Sequence, residues 1–142
     1  MSTPLKIVFN PFTSTFDYIQ SADDGLVLSN IPCEAAAMVA DVVRMSGGIA
    51  VRALADTSLN GNAIGIIENK CTPTTADIRV LGKSGSIFTG LTENIDYYLS
   101  DIIPGALTTT VPTASGSVVL RIGQAFSATE LIVLKGLRLV RA

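Results

Sequence analysis

The chain has 142 residues, 48% of them hydrophobic and only 15% charged, with a formal net charge of −2 and no histidine. That length fits one domain with an appended arm, and the apolar content excludes a disordered chain. Because ordinary globular chains are about 25% charged, either Thr, Ser and Asn supply the polar skin here or a partner covers part of the surface.

Residues 5–9, LKIVF, alternate weakly and are rich in β-formers, and Asn10-Pro11 then marks a turn. In an unbroken strand Phe12, Ser14, Phe16 and Tyr18 would line one face, and Thr13, Thr15 and Asp17 the other. We expect a β-hairpin or extended arm over residues 1–20. It holds Phe9, Phe12, Phe16 and Tyr18, half of the eight aromatics in the chain. These four are either core or anchors on a neighbouring subunit, where aromatics carry much of the affinity. Residues 21–25, SADDG, read as a linker, and the main domain is expected over residues 26–142.

Leu26-Val27-Leu28 reads as a short strand. Residues 33–45 give mixed signals: alanines favour a short helical or irregular piece near 34–37, and β-branched residues favour a strand near 41–45. That strand runs into the Ser46-Gly47-Gly48 turn and returns over residues 49–54 as a hairpin. Residues 56–62 are a polar loop. Residues 63–68 are a buried strand with Gly65 in it, and 76–81 alternate as a half-buried strand. Further short strands are expected at 86–88, 97–100, 106–109, 118–125, 129–134 and 136–141. The sum is an all-β chain, an antiparallel β-sandwich or small barrel of about ten short strands, with at most one short helix.

The chain carries almost no catalytic or ligand-binding motif. Without histidine there is no His-based triad, general base or common metal site, and we expect no enzyme, no cofactor and no metal. Cys33 and Cys71 form no CxxC and no disulfide framework, so both read as free thiols in or near the core. Gly82-Lys83-Ser84-Gly85 contains the tail of a phosphate loop. The upstream glycine would have to stand at position 77, which is Asp77, and the following residues are poor helix formers. Tyr97 and Tyr98 are neighbours, so in a strand they point to opposite faces, one core and one surface. With Asn94 and Asp96 they make the one cluster resembling a saccharide-binding surface. The ten Lys and Arg are scattered, with Lys135, Arg138 and Arg141 the only loose grouping, so no nucleic-acid partner is expected. No apolar run is long enough for a membrane helix, and the opening MSTPLKIVF has no apolar h-region, so neither membrane nor secretion is expected.

Two segments carry a resemblance. Residues 5–19, LKIVFNPFTSTFDYI, resemble the NPFTGxFD-type opening of small virion proteins and of some tail or head fibres, with Ser14 where that pattern has Gly. The second half, through YYLS, PGALTTT and IGQAFSATELIV, is similar to a small β module of phage tail-fibre, head-fibre and decoration proteins. Together they cover about two-thirds of the chain. The resemblance implies a virion structural role and brings no catalytic residues. The expected function is decoration or cementing of a phage capsid by a homo-oligomer, a trimer, assembled in the host cytoplasm. Its partners would be copies of itself and the major capsid protein or another virion protein. The alternative is a tail-fibre or adsorption module binding a host-surface saccharide.

Overall fold

Short β-prone runs separated by turn residues leave the chain no stretch long enough for a helix to nucleate. The computed structural model describes residues 5–10, 15–20 and 25–142, and among them there is no helix. The strands are β1 (Leu5–Asn10), β2 (Thr15–Gln20), β3 (Gly25–Pro32), β4 (Val42–Ser46), β5 (Ile49–Arg52), β6 (Gly65–Thr72) and β7 (Thr75–Lys83). They continue as β8 (Asp96–Leu99), β9 (Leu107–Thr108), β10 (Val118–Val119), β11 (Arg121–Ala125), β12 (Leu131–Val133) and β13 (Leu139–Val140). Every ladder between these strands is antiparallel.

β1 and β2 form a hairpin with Phe9 opposite Phe16 and Ile7 opposite Tyr18. Phe12 lies outside the described residues, and Phe9, Phe16 and Tyr18 are placed by this backbone register alone. The main sheet runs β5-β4-β6-β7-β12-β11-β8-β9, and β3 also pairs with β7. β7 is the seam. One edge takes β3 from Gly25↔Gly82 to Pro32↔Thr75, and the other takes first β6 and then β12 at Gly82 and Lys83. The sheet curls about this strand.

The curl produces two cores. Val42 and Ile66 face the larger one, with Leu99, Val118, Ile122, Leu131 and Val133. Their neighbours Val43 and Ile67 face a smaller one, with Cys33, Ala37, Ala50, Ala76 and Ile78. β4 and β6 are therefore buried on both faces, which is why they open with adjacent apolar pairs rather than strict alternation. Residues 33–41 cover the smaller core as turns, not as a helix. Lys70 Nζ fastens them by donating to the carbonyls of Ala37 at 2.7 Å and Pro73 at 2.9 Å.

Tight turns fall where the composition places them. Gly47 and Gly48 have φ of +59° and +85°, the two left-handed residues of a type I′ turn joining β4 to β5. Three expected strands differ. Residues 86–88 form no ladder: Phe88 drops into the larger core and its N–H donates to the Thr129 carbonyl. The expected strand at 118–125 breaks at Leu120, because β10 pairs with β13 while β11 joins the main sheet. The strand expected over 136–141 forms a ladder only at Leu139 and Val140.

Candidate interaction surface

The ligand cluster expected at residues 94–98 is only partly assembled. Tyr97 is buried in the larger core, and its hydroxyl accepts the Thr92 N–H at 3.0 Å. Tyr97 is therefore corrected from ligand surface to core. Tyr98, on the opposite face of β8, is half-buried. Asp96 Oδ1 lies 3.6 Å from Arg121 Nε. Asn94 sits in a turn at φ 64°, and its carbonyl accepts from Gln124 Nε2 at 3.0 Å. One tyrosine and one ion-paired carboxylate do not frame a sugar.

Several other polar side chains are engaged within the fold. Lys83 donates to Glu130 at 3.1 Å and stands 4.9 Å over the Phe126 ring. Buried Ser84 is stitched to β12, its Oγ accepting the Leu131 N–H at 3.0 Å. The Gly-Lys-Ser turn is thus bound to β12 and forms no phosphate cradle. Arg52 Nε donates to Glu34 Oε1 at 3.0 Å. Burial pushes the Glu34 carboxyl up, but the backbone and side-chain hydrogen bonds of Arg52 and its charge hold it below the usual range. Cys33 is buried in the smaller core and Cys71 is exposed, a correction to the expectation that both lie in or near the core. Local desolvation and then the adjacent Asp77 carboxylate push the Cys71 thiol up, which keeps it a poor nucleophile. Among the described residues, no group of three or more His, Cys, Asp or Glu side chains is placed to hold a metal ion.

What the surface offers instead is apolar. One patch is a loop tip made by Met38 and Val39 with Ile102 and Ile103, the last two 80% and 61% exposed. The two loops are bound together, since Val42 N–H donates to the Gly105 carbonyl and Gly105 N–H to that of Ala53. Each loop is also braced internally. Ser100 Oγ accepts the N–H of both Ile102 and Ile103 at 3.1 Å, and Asp41 Oδ2 accepts that of Met38 at 2.9 Å. The isoleucines are thus presented by ordered backbone.

The second patch is a strap, residues 134–142, whose polarity is inverted. Its cations turn inward onto loop carbonyls: Lys135 Nζ onto Ala63 at 2.9 Å, Arg138 Nη1 onto Ser58 at 2.6 Å and Arg141 Nε onto Pro112 at 3.0 Å. Its aliphatics turn outward: Leu134, Leu137, Leu139 and Val140 are all at least half exposed, and Leu137 reaches 82%. Leu59, next to the clasped Ser58, is 70% exposed. The loose basic grouping noted in the sequence is a set of clasps. Neither patch was legible from periodicity, because the partners of each cation lie far away in the chain.

No family model matches this chain, and neither the curated proteins nor the solved structures contain a match to it.

Proposed function

We propose that this chain is a non-enzymatic virion structural protein that decorates or cements a phage capsid. It acts as a homo-oligomer, a trimer, and holds the major capsid protein or another virion protein through apolar contacts and its aromatic N-terminal arm. The observation that carries the reading is the pair of exposed aliphatic patches, at residues 38–39 with 102–103 and along residues 134–140. Surfaces of this kind, with no converging polar groups, suit a macromolecular partner better than a small ligand. The wording of residues 97–134 supports the particle context. The saccharide alternative loses Tyr97 to the core.

Counting copies of the chain in purified particles by quantitative mass spectrometry tests this reading. Decoration requires many copies per particle, whereas a few copies or none would overturn it. Ile102→Glu with Ile103→Glu removes the loop tip's apolar character at exposed positions, so the fold should stand while particle binding weakens.

A further inference from the structure

Among the described residues, two of the three sheets are only two strands wide, β1-β2 and β10-β13. A two-stranded ribbon is at best marginally stable in water and needs a third strand or a packed face. On β10, Val118 is fully buried and its N–H donates to the Ala55 carbonyl. On β13, Leu139 and Val140 are 54% and 50% exposed. The ladder also tells which backbone groups of β13 face outward. Arg141 N–H donates to the Ser117 carbonyl at 2.8 Å, which brackets Val118↔Val140 as a non-hydrogen-bonded pair. Val140 therefore turns its own N–H and C=O away from β10, to the outer edge. An open groove of roughly 390 Å³ lies alongside, lined by Val119, Leu139, Val140, Arg141 and Ala142.

The β1–β2 hairpin has the complementary need, since among the described residues it forms a ladder with no third strand. Charge agrees as well. Residues 1–24 carry Lys6 against Asp17, Asp23 and Asp24, while residues 134–142 carry Lys135, Arg138 and Arg141 with no carboxylate side chain.

We infer that the outer edge of β13 receives the β1–β2 hairpin of a second copy of this chain as added strands. The two ribbons then join into one four-stranded sheet. The Val140 N–H and C=O gain partners, the leucine row of the strap is covered by an aromatic-rich segment, and the acidic arm lies against the basic strap. The contact is heterologous, arm to strap, so it closes into a ring when the rotation allows, as a trimer requires. This rests on the proposed reading of the arm as a docking element, but it names a second copy rather than the capsid as the arm's receptor.

The test uses the full-length chain carrying a photo-crosslinking phenylalanine analogue in place of Leu137, in oligomers assembled from a mixture of ¹⁴N- and ¹⁵N-labelled chains. Crosslinks from position 137 to residues 5–20 should join chains of different isotope. Crosslinks confined to a single chain, crosslinks to other segments, or a monomer in sedimentation equilibrium would each overturn the inference. Val140→Pro removes an outward N–H and leaves the β10 ladder intact. It should weaken self-association at least tenfold with an unchanged circular dichroism spectrum, and Leu137→Glu should do the same by charge. Unchanged association in the folded variants overturns the strap as receptor. Particle binding is scored separately. Wild-type chains that bind particles without arm-to-strap crosslinks between chains sink this inference alone, and an arm-linked oligomer that binds none sinks the decoration reading alone.

Discussion

Arg79 and Glu68 meet on the β6–β7 ladder, with Nε and Nη2 of the arginine both donating to one carboxylate oxygen, Oε2, at 3.1 and 2.9 Å. The other oxygen, Oε1, accepts the Gly85 N–H at 2.7 Å. Arg79 is only 5% exposed, so the guanidinium is held where water solvates it poorly. Removing the carboxylate of a buried pair is strongly destabilising. Glu68→Ala should therefore lower stability by about 3–5 kcal/mol in urea denaturation, and Glu68→Ala combined with Arg79→Met by less than the sum of the singles. Additive losses would show that the pair is not coupled.

Gly123 lies where β11 runs beside β12, and a Cβ there would meet the Ile132 carbonyl oxygen. Both neighbours are backbone, so no side chain can move aside. Gly123→Ala should cost about 1–3 kcal/mol or more, the range of overpacking, and should loosen the β11–β12 ladder first. Hydrogen exchange at Leu134, whose N–H donates to the Ile122 carbonyl across this ladder, reports it, and unchanged protection there would refute the steric argument.

Two aspartates give opposite pH slopes. The Asn30 N–H, 3.0 Å from Asp77 Oδ1, holds the Asp77 carboxyl below the usual range. Its contribution is therefore present above the ordinary aspartate pKa of about 3.9 and lost as pH falls through the lowered folded value. Asp41 is pushed up by burial, with the Met38 N–H and the Arg52 and Lys70 charges pulling the other way. Its contribution is present below the ordinary value and lost as pH rises through the raised one. Asp77→Asn should flatten the acid limb of the stability profile, and Asp41→Asn should remove the fall above it. Equilibrium unfolding between pH 2 and 7 measures both, and slopes of the same sign in the two variants would contradict the assignment.

Leu131 and Leu137 are six residues apart and should behave as different kinds of leucine. Leu131 is fully buried in the larger core, so Leu131→Ala should lose about 2–5 kcal/mol of folding stability. Leu137 is 82% exposed, so Leu137→Ala should stay within about 0.5 kcal/mol in a chain diluted to monomer. Thermal unfolding across a dilution series checks the pair, and a large loss at Leu137 in the monomer would place it in a core of its own chain.

The sequence announced the local features, because neighbouring residues decide them. Gly47-Gly48 marked the β4–β5 hairpin, and the alternation of residues 76–81 marked β7. The opposite faces of Tyr97 and Tyr98 followed from strand geometry, as did the likelihood that only one could meet a ligand. Features resting on distant partners stayed hidden. Lys135, Arg138 and Arg141 reach Ala63, Ser58 and Pro112, contacts separated by 72, 80 and 29 residues. Phe88 looked like the end of a strand because its neighbours are β-prone, yet its place is set by Thr129 across the core. The sheet change at Leu120 likewise depends on where β13 arrives, and no window of ten residues contains that information.

The position of β7 has a consequence for how fast this protein can form. Its two edges wait for β3 from about fifty residues upstream, β6 from the adjoining hairpin and β12 from about fifty residues downstream. Only the β6 partner is local, and both distant ones demand closure of long loops before their ladders return any energy. Folding should therefore begin at the Pro73-Thr74 turn and finish on the millisecond-to-second scale typical of such non-local sheets. The β12 half can close on this seam only after synthesis has passed residue 133, so the two halves of the sheet cannot form together on the ribosome.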